Sequence, residues 1–262
     1  MRLAQMDDLE LIAIDVAREA GRFIAPHFGK IEDIKSKSKS PADIVTQFDI
    51  DAENLIARKL NDRTPDFGFV GEESGSKNTG EKFWLVDPID GTAHYVRGIP
   101  ICTTMIALVD KGEVVVSVIY NFVTAEMFSA SKNNGAKLNG KPLRVSERTL
   151  AESYMSVESK LQDKKSIKKY LDVVDKTVLF HSITCGYEFA LIAQGKLDGR
   201  ICIDPHGADY DYAPGALLVR EAGGIVSNLG KNTYDYKNHD FIATNPTIYL
   251  ELTHGKNALF PA

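Results

Sequence analysis

Cysteine is scarce in this chain, and the three present, Cys102, Cys185 and Cys202, have no CxxC spacing. That excludes a disulfide framework and fits buried thiols in a reducing compartment, with no nucleophilic part to play. No apolar run approaches a membrane span. The opening stretch, MRLAQMDDLELIAIDVAREAG, carries acids inside its apolar pattern and has no signal-peptide core, so a cytoplasmic location is the expectation. Positive charge is in short supply, since 31 Lys and Arg face 36 Asp and Glu for a formal net charge of −5. This argues against a nucleic acid or an anionic membrane as partner. A phosphorylated substrate would have to be attracted locally, by metal ions and helix ends.

What is present is an ordinary globular composition, 44% hydrophobic and 26% charged over 262 residues, enough for one large domain or two intimate halves. Residues 7–28 read as an amphipathic helix with Leu9, Ile12, Val16, Ala20, Phe23 and Ile24 near one face, stopped by Gly29. The alternating Lys and Ser of residues 35–40 read as a solvated loop, and the functional alternative is that one lysine reaches the site; position alone does not choose it. A second helix follows through QFDIDAENLIARKLN, with Asp49 in its early turns, where a carboxylate suits the helix dipole. FGFVGEES reads as a short buried strand and a turn presenting Glu72 and Glu73. ICTTMIALVD, an Asp110-Lys111-Gly112 turn and EVVVSVIYNFV make a hairpin, and AEMFSASKNNGAKLNGKPLRVS extends a meandering antiparallel sheet. Beyond Ser146 strands and helices alternate, which divides the chain into an α+β half, 1–146, and an α/β half, 147–262.

The stretch FWLVDPIDGTAHYVRGIP, residues 83–100, carries the most chemistry. An apolar strand ends in Asp87 and Asp90 around Pro88, and Gly91 and Thr92 open a helix. Pro88 fixes its own φ and biases Asp87 away from the α region, predicting a turn that converges both carboxylates and the Ile89 carbonyl on one point. Hard oxygen ligands of this kind suit Mg²⁺. Amides at the start of the helix would face an anion. In the second half, Pro214 is tolerated only near a helix start, so a helix begins close to Asp211. Asp211 is then either its cap or a carboxylate offered to the site.

GEES at 71–74, WLVDPIDGT at 84–92, DIVTQFD at 43–49 and YDYAPGALLVREAGG at 210–224 together resemble the inositol monophosphatase family of Mg²⁺-dependent, lithium-sensitive phosphatases, in the right order across nearly the whole chain. The resemblance implies a layered αβαβα sandwich, usually homodimeric, that hydrolyses a small phosphorylated metabolite with two or three Mg²⁺ ions. It implies Glu72, Asp87 and the Ile89 carbonyl at a first ion, and Asp87, Asp90 and Asp211 at a second. Asp49, Thr92 and Glu72 would serve the attacking water, and Asp49 and Glu72 a third, weaker ion. The amides of Gly91 and Thr92 would hold phosphate, while Asp204, Gly186 and Tyr187 would meet the rest of the substrate. Inositol 1-phosphate is the first expectation for that substrate. VRGIP is similar to members acting on histidinol phosphate, and fructose 1,6-bisphosphate is a further alternative. Tyr210 stands where the family has Trp, His94 and Tyr95 where it has Asn and Phe, and TCGYE where it has a run of small residues. A phosphate-binding pseudoenzyme would show a lost metal ligand, and every ligand position is intact.

Overall fold

The computed structural model describes residues 6–31, 33–37, 44–77, 80–182, 184–256 and 258–261. In chain order it has α1 (Met6–Ile24), β1 (Lys35–Ser36), β2 (Ile44–Val45), α2 (Gln47–Arg63), β3 (Gly68–Gly71), β4 (Gly75–Lys77), β5 (Lys82–Asp90), α3 (Thr92–Arg97) and β6 (Thr103–Asp110). There follow β7 (Glu113–Asn121), β8 (Glu126–Ser131), β9 (Ala136–Leu138), β10 (Lys141–Pro142), β11 (Tyr154–Glu158), α4 (Lys164–Val174), β12 (Val178–Leu179) and α5 (Cys185–Ala193). The chain ends with β13 (Gly199–Cys202), α6 (Asp209–Glu221), β14 (Ile225–Asn228), β15 (Phe241–Thr244) and α7 (Pro246–Thr253).

Two large sheets organise these elements, and β1 and β2 pair as a separate antiparallel ribbon. The first runs β10-β9-β8-β7-β6-β5-β3-β4 and is antiparallel except where β3 lies parallel to β5. The second runs β12-β11-β13-β15-β14, with β11 parallel to both β12 and β13. Apolar rows decide the stacking. Leu9, Ala13, Val16 and Ala20 of α1, with Ile56 and Leu60 of α2, pack on Ile106, Val116 and Val118 of the first sheet. Phe189 of α5 and Tyr212 and Leu218 of α6 fill the space between Met105 and Ile119 on one side and Phe241 on the other. Val173 of α4 and Ile248 and Leu252 of α7 cover the outer face of the second sheet at Met155, Ile201 and Ile242. The result is the αβαβα sandwich the sequence implied, with α5 and α6 as its middle layer.

Three boundaries differ from expectation. α1 stops at Ile24 rather than reaching 28, because Pro26 has no N–H to give the Arg22 carbonyl; Ala25–His27 tighten into a 3₁₀ turn, and Gly29 turns the chain at φ 69°. α6 starts at Asp209 and carries Pro214 inside it, its first turn held by the Ala208 amide donating to Asp211 Oδ2 at 2.6 Å. β5 does not end in a turn at Pro88 but continues to Asp90 through a bulge.

That bulge positions the site. Asp87 pairs with Met105 and Asp90 with Thr103, so three steps along β5 match two along β6. In a regular strand, residues three apart point to opposite faces. One extra residue at Pro88, which has no amide to contribute to the ladder, reverses the alternation and brings Asp87 and Asp90 to the same side.

Candidate active site

A cleft of about 770 Å³ opens where the end of β5 meets the N-termini of α3, α5 and α6, and its walls include Glu72, Asp87, Ile89, Asp90, Gly91, Thr92 and Asp211. Each arrives on its own support. Glu72 sits in the turn after β3, whose Glu73 and Ser74 amides donate to Glu53 Oε2 and Oε1 at 2.8 and 2.9 Å. Glu53, one helical turn beyond Asp49 on α2, thus clamps the turn from beneath; a helical i, i+4 pair of acids was its only trace in the sequence. Gly71 leaves room for that carboxylate, since a Cβ there would stand 2.4 Å from Glu53 Cδ.

Asp49 is buried and both its oxygens are engaged. Oδ2 accepts from the Thr46 amide and hydroxyl at 2.7 and 2.6 Å, closing a capping box on α2. Oδ1 lies 2.8 Å from Thr92 Oγ1, which also lies 3.0 Å from the Ile89 carbonyl oxygen. The capping role and the link to Thr92 belong to one side chain.

Asp90 ties the two sheets' supports together. Its Oδ1 accepts the Cys185 amide at 2.9 Å, and Oδ2 accepts the Gly186 amide at 2.8 Å, Thr103 Oγ1 at 3.0 Å and the Thr184 hydroxyl. The carboxylate therefore sits on the N-terminus of α5, where the helix dipole favours negative charge. Asp87 is 2% exposed, and among the described residues its Oδ1 has no hydrogen-bond partner. Burial, and then the charges of Glu72, Asp90 and Asp211, push its carboxyl well above the usual range. Burial likewise raises Asp90 against the hydrogen bonds it accepts, and lifts Asp211 to about 8.

These shifts have a signed consequence. Folded Asp211 holds its proton up to about pH 8, whereas the unfolded carboxyl releases it near 3.8. Across that window the folded chain binds more protons, so without a cation the cluster subtracts stability as pH rises. The gap between the thermal midpoints in Mg²⁺ and in chelator should accordingly widen from about pH 4 to about pH 8. A gap that narrowed with pH would contradict the clustering of these acids.

Of the lysines from 35 to 39, Lys37 reaches the site, its Nζ 2.8 Å from Glu72 Oε1 and 2.6 Å from Glu73 Oε1; Lys39, like Asp43, lies outside the described residues. The ion pairs raise the Lys37 pKa although burial opposes them. His206 also lines the cleft.

Three residues expected at the substrate make other contacts in the structure. Asp204 is outside the cleft lining: the chain turns there at φ 50°, its carboxylate faces Lys160 at 3.5 Å, and its amide donates to Asp240 Oδ1 at 2.6 Å. Tyr187 points across to β8, with its hydroxyl 3.4 Å from Glu126 Oε2. Gly186 gives Asp90 its amide and no surface to the cleft; a Cβ there would meet Thr103 Oγ1 at 2.4 Å and Met105 Sδ at 2.8 Å. Gly186→Ala should therefore cost about 1–3 kcal/mol, read by urea unfolding. A neutral result would mean that α5 moves freely away from β6.

The wall facing the acids was not legible in the sequence. Arg200, 4% exposed, bonds Glu188 through Nη1 and Glu158 through Nη2, and Glu158 also accepts the His206 amide at 2.7 Å and the Tyr212 hydroxyl at 3.1 Å. Glu158, Glu188, Arg200 and His206 all line the cleft.

The model of the inositol monophosphatase family matches residues 5–258. This chain belongs to that family. It is 34% identical over 221 residues to an inositol-1-monophosphatase of Rhizobium meliloti, covering 81% of this chain and 82% of the relative. It is 33% identical over 224 residues to the Nus factor SuhB of Xylella fastidiosa, covering 83% and 81%. The crystal structure of the extragenic suppressor protein suhB from Bartonella henselae superposes with a TM-score of 0.85 at 30% identity, covering 93% of this chain and 96% of that one. Family membership makes the chain a phosphatase of phosphomonoesters and brings the family's general dependence on Mg²⁺. Among the described residues, no helix is long and apolar enough to cross a membrane.

Proposed function

We propose that this chain hydrolyses inositol 1-phosphate to inositol and inorganic phosphate, with water as the nucleophile. The observation that carries the proposal is the Asp87 Oδ1 atom, buried and without a partner among the described residues, in a cleft that Glu72, Asp90 and Asp211 also face. An orphaned carboxylate oxygen among like charges is costly unless a cation joins it. The donors are carboxylates and one carbonyl, which suits Mg²⁺. Glu72, Asp87 and the Ile89 carbonyl would hold one ion, Asp87, Asp90 and Asp211 a second, with Asp49 and Glu72 near a weaker third. Bound Mg²⁺ would supply charge neutralisation at the phosphoryl group and acidify water.

The side chains supply the rest. Thr92 donates its single proton to Asp49, so its lone pairs are turned to accept a hydrogen bond from the attacking water and to aim it. Asp49 is pushed up by burial more than its three hydrogen bonds pull it down, which makes it a better proton acceptor than an ordinary carboxylate. Gly91 and Thr92, at the left-handed entry to α3 (Gly91 φ 82°), would offer amides to the phosphate.

The Arg200 wall supports a second reading. Two carboxylates against one guanidinium leave Glu158 as net negative charge beside the substrate, which favours a leaving group that carries an ammonium, as histidinol phosphate does, and disfavours a second phosphate as in fructose 1,6-bisphosphate. Phosphate release from inositol 1-phosphate, histidinol phosphate, fructose 1,6-bisphosphate and 3′-phosphoadenosine 5′-phosphate, with and without Li⁺, tests both. Preference for inositol 1-phosphate supports the first reading and preference for histidinol phosphate the second. Absence of Mg²⁺-dependent release from all four would sink both.

A further inference from the structure

The metal reading assigns no part to Cys185, yet its sulfur stands among the acids. Cys185 Sγ, an Asp90 oxygen and an Asp211 oxygen lie within 4.8 Å of one another, brought together from α5, β5 and α6. Cys185 lines the cleft, whereas Cys102 and Cys202 are wholly buried and are not part of its lining. A second observation points to a ligand at the same place: the partnerless Oδ1 of Asp87, a residue 2% exposed, lies in the same cleft with Asp90 and Asp211 as charged neighbours.

Chemistry then separates two classes of cation. Mg²⁺ takes hard oxygen ligands and gains nothing from sulfur, while a thiolate selects borderline and soft ions. Zn²⁺ binds sulfur and carboxylate oxygen together, and three protein ligands with an open fourth position suit it. We propose that Cys185, Asp90 and Asp211 form a site for a thiophilic divalent cation of the Zn²⁺ class, overlapping the Mg²⁺ position and excluding Mg²⁺ when filled. Binding exchanges the thiol proton for the metal: the S–H bond breaks, the S–metal bond forms with the same electron pair, and one proton leaves to solvent. In the cleft wall the sulfur also lies 3.4 Å from Arg200 Nη2. The site makes the enzyme sensitive to thiophilic ions at concentrations of Mg²⁺ that sustain turnover.

The inference rests on the reading of this cleft as a metal site, and the test separates the two. Cd²⁺ is titrated into the folded full chain, and the ultraviolet sulfur-to-cadmium charge-transfer band is recorded for the wild type, Cys185→Ser, Cys102→Ser and Cys202→Ser. The expected result is a band in the wild type and in the latter two variants, and its loss in Cys185→Ser. Zn²⁺ should also protect Cys185 of the unaltered protein from alkylation by iodoacetamide, read by mass spectrometry, with excess Mg²⁺ removing the protection. No band in the wild type, a band that survives in Cys185→Ser, or alkylation indifferent to Zn²⁺ overturns the proposal. Mg²⁺-dependent phosphatase activity without the band leaves the enzyme reading intact and removes only the thiol site. The band without such activity keeps the thiol site and removes the Mg²⁺ reading.

Discussion

Asp90→Asn is expected to lower turnover by at least about 10³-fold, because it would remove a charge from the proposed Mg²⁺ site, where electrostatic stabilisation of the phosphoryl group is a large part of catalysis. Steady-state phosphate release across a Mg²⁺ titration measures it, and near-normal turnover would remove Asp90 from the site. The structure adds a second effect that the motif alone did not suggest. Both Asp90 oxygens accept hydrogen bonds, from the Cys185 and Gly186 amides and from Thr103 and Thr184. An asparagine must turn its NH₂ toward at least one of those donors, leaving it unsatisfied at a cost of about 1–3 kcal/mol. The variant should therefore fold with a lowered thermal midpoint. Loss of activity with an unchanged midpoint would show that α5 is anchored by something other than Asp90.

Arg200→Met is expected to have the largest effect on stability. Arg200 and Glu188 are 4% and 1% exposed, and Glu158 shares the guanidinium from the cleft wall. Removing the cation leaves two carboxylates facing each other with little water, which costs about 3–5 kcal/mol. In a chain of this length that is a fall in midpoint on the order of 10 °C. Burial already raises Glu188 despite Arg200 beside it, so in the variant Glu188 will take a proton and recover part of the loss at lower pH. Adding Glu188→Gln to Arg200→Met should restore stability in part at neutral pH. Denaturant unfolding checks both, and a loss below about 1 kcal/mol would mean that water reaches the triad and screens it.

The acids of WLVDPIDGT, the turn acids of GEES and the helix carrying Asp211 were readable because each rests on local rules: a strand's apolar run, proline's fixed φ, a helix start. Asp49 was readable as a carboxylate in a first helical turn, but its link to Thr92 was not, since 43 residues separate the two and only the packing of α2 under β5 joins them. The contacts of Asp204 were not legible for a related reason. The resemblance implied that it meets the substrate; in the structure the left-handed turn at Asp204 sends its carboxylate to Lys160, and Glu158, from β11, lines the cleft. The contact of Tyr187 was not legible either: its hydroxyl ends beside Glu126 on β8, and no rule of sequence spacing links those two elements.

By itself the sequence determined the kinds of ligand and the order of the elements that carry them, because residue chemistry, proline geometry and apolar periodicity act over a few residues. Only the tertiary structure decided where those ligands point. The bulge at Pro88 turns Asp87 and Asp90 to one face, the Asp90 carboxylate fixes α5 so that Cys185 stands beside the acids, and the Arg200 triad sets the charge of another wall of the cleft. Each of these depends on hydrogen-bond register and side-chain burial between segments distant in the chain, which the spacing of residues along the chain does not encode.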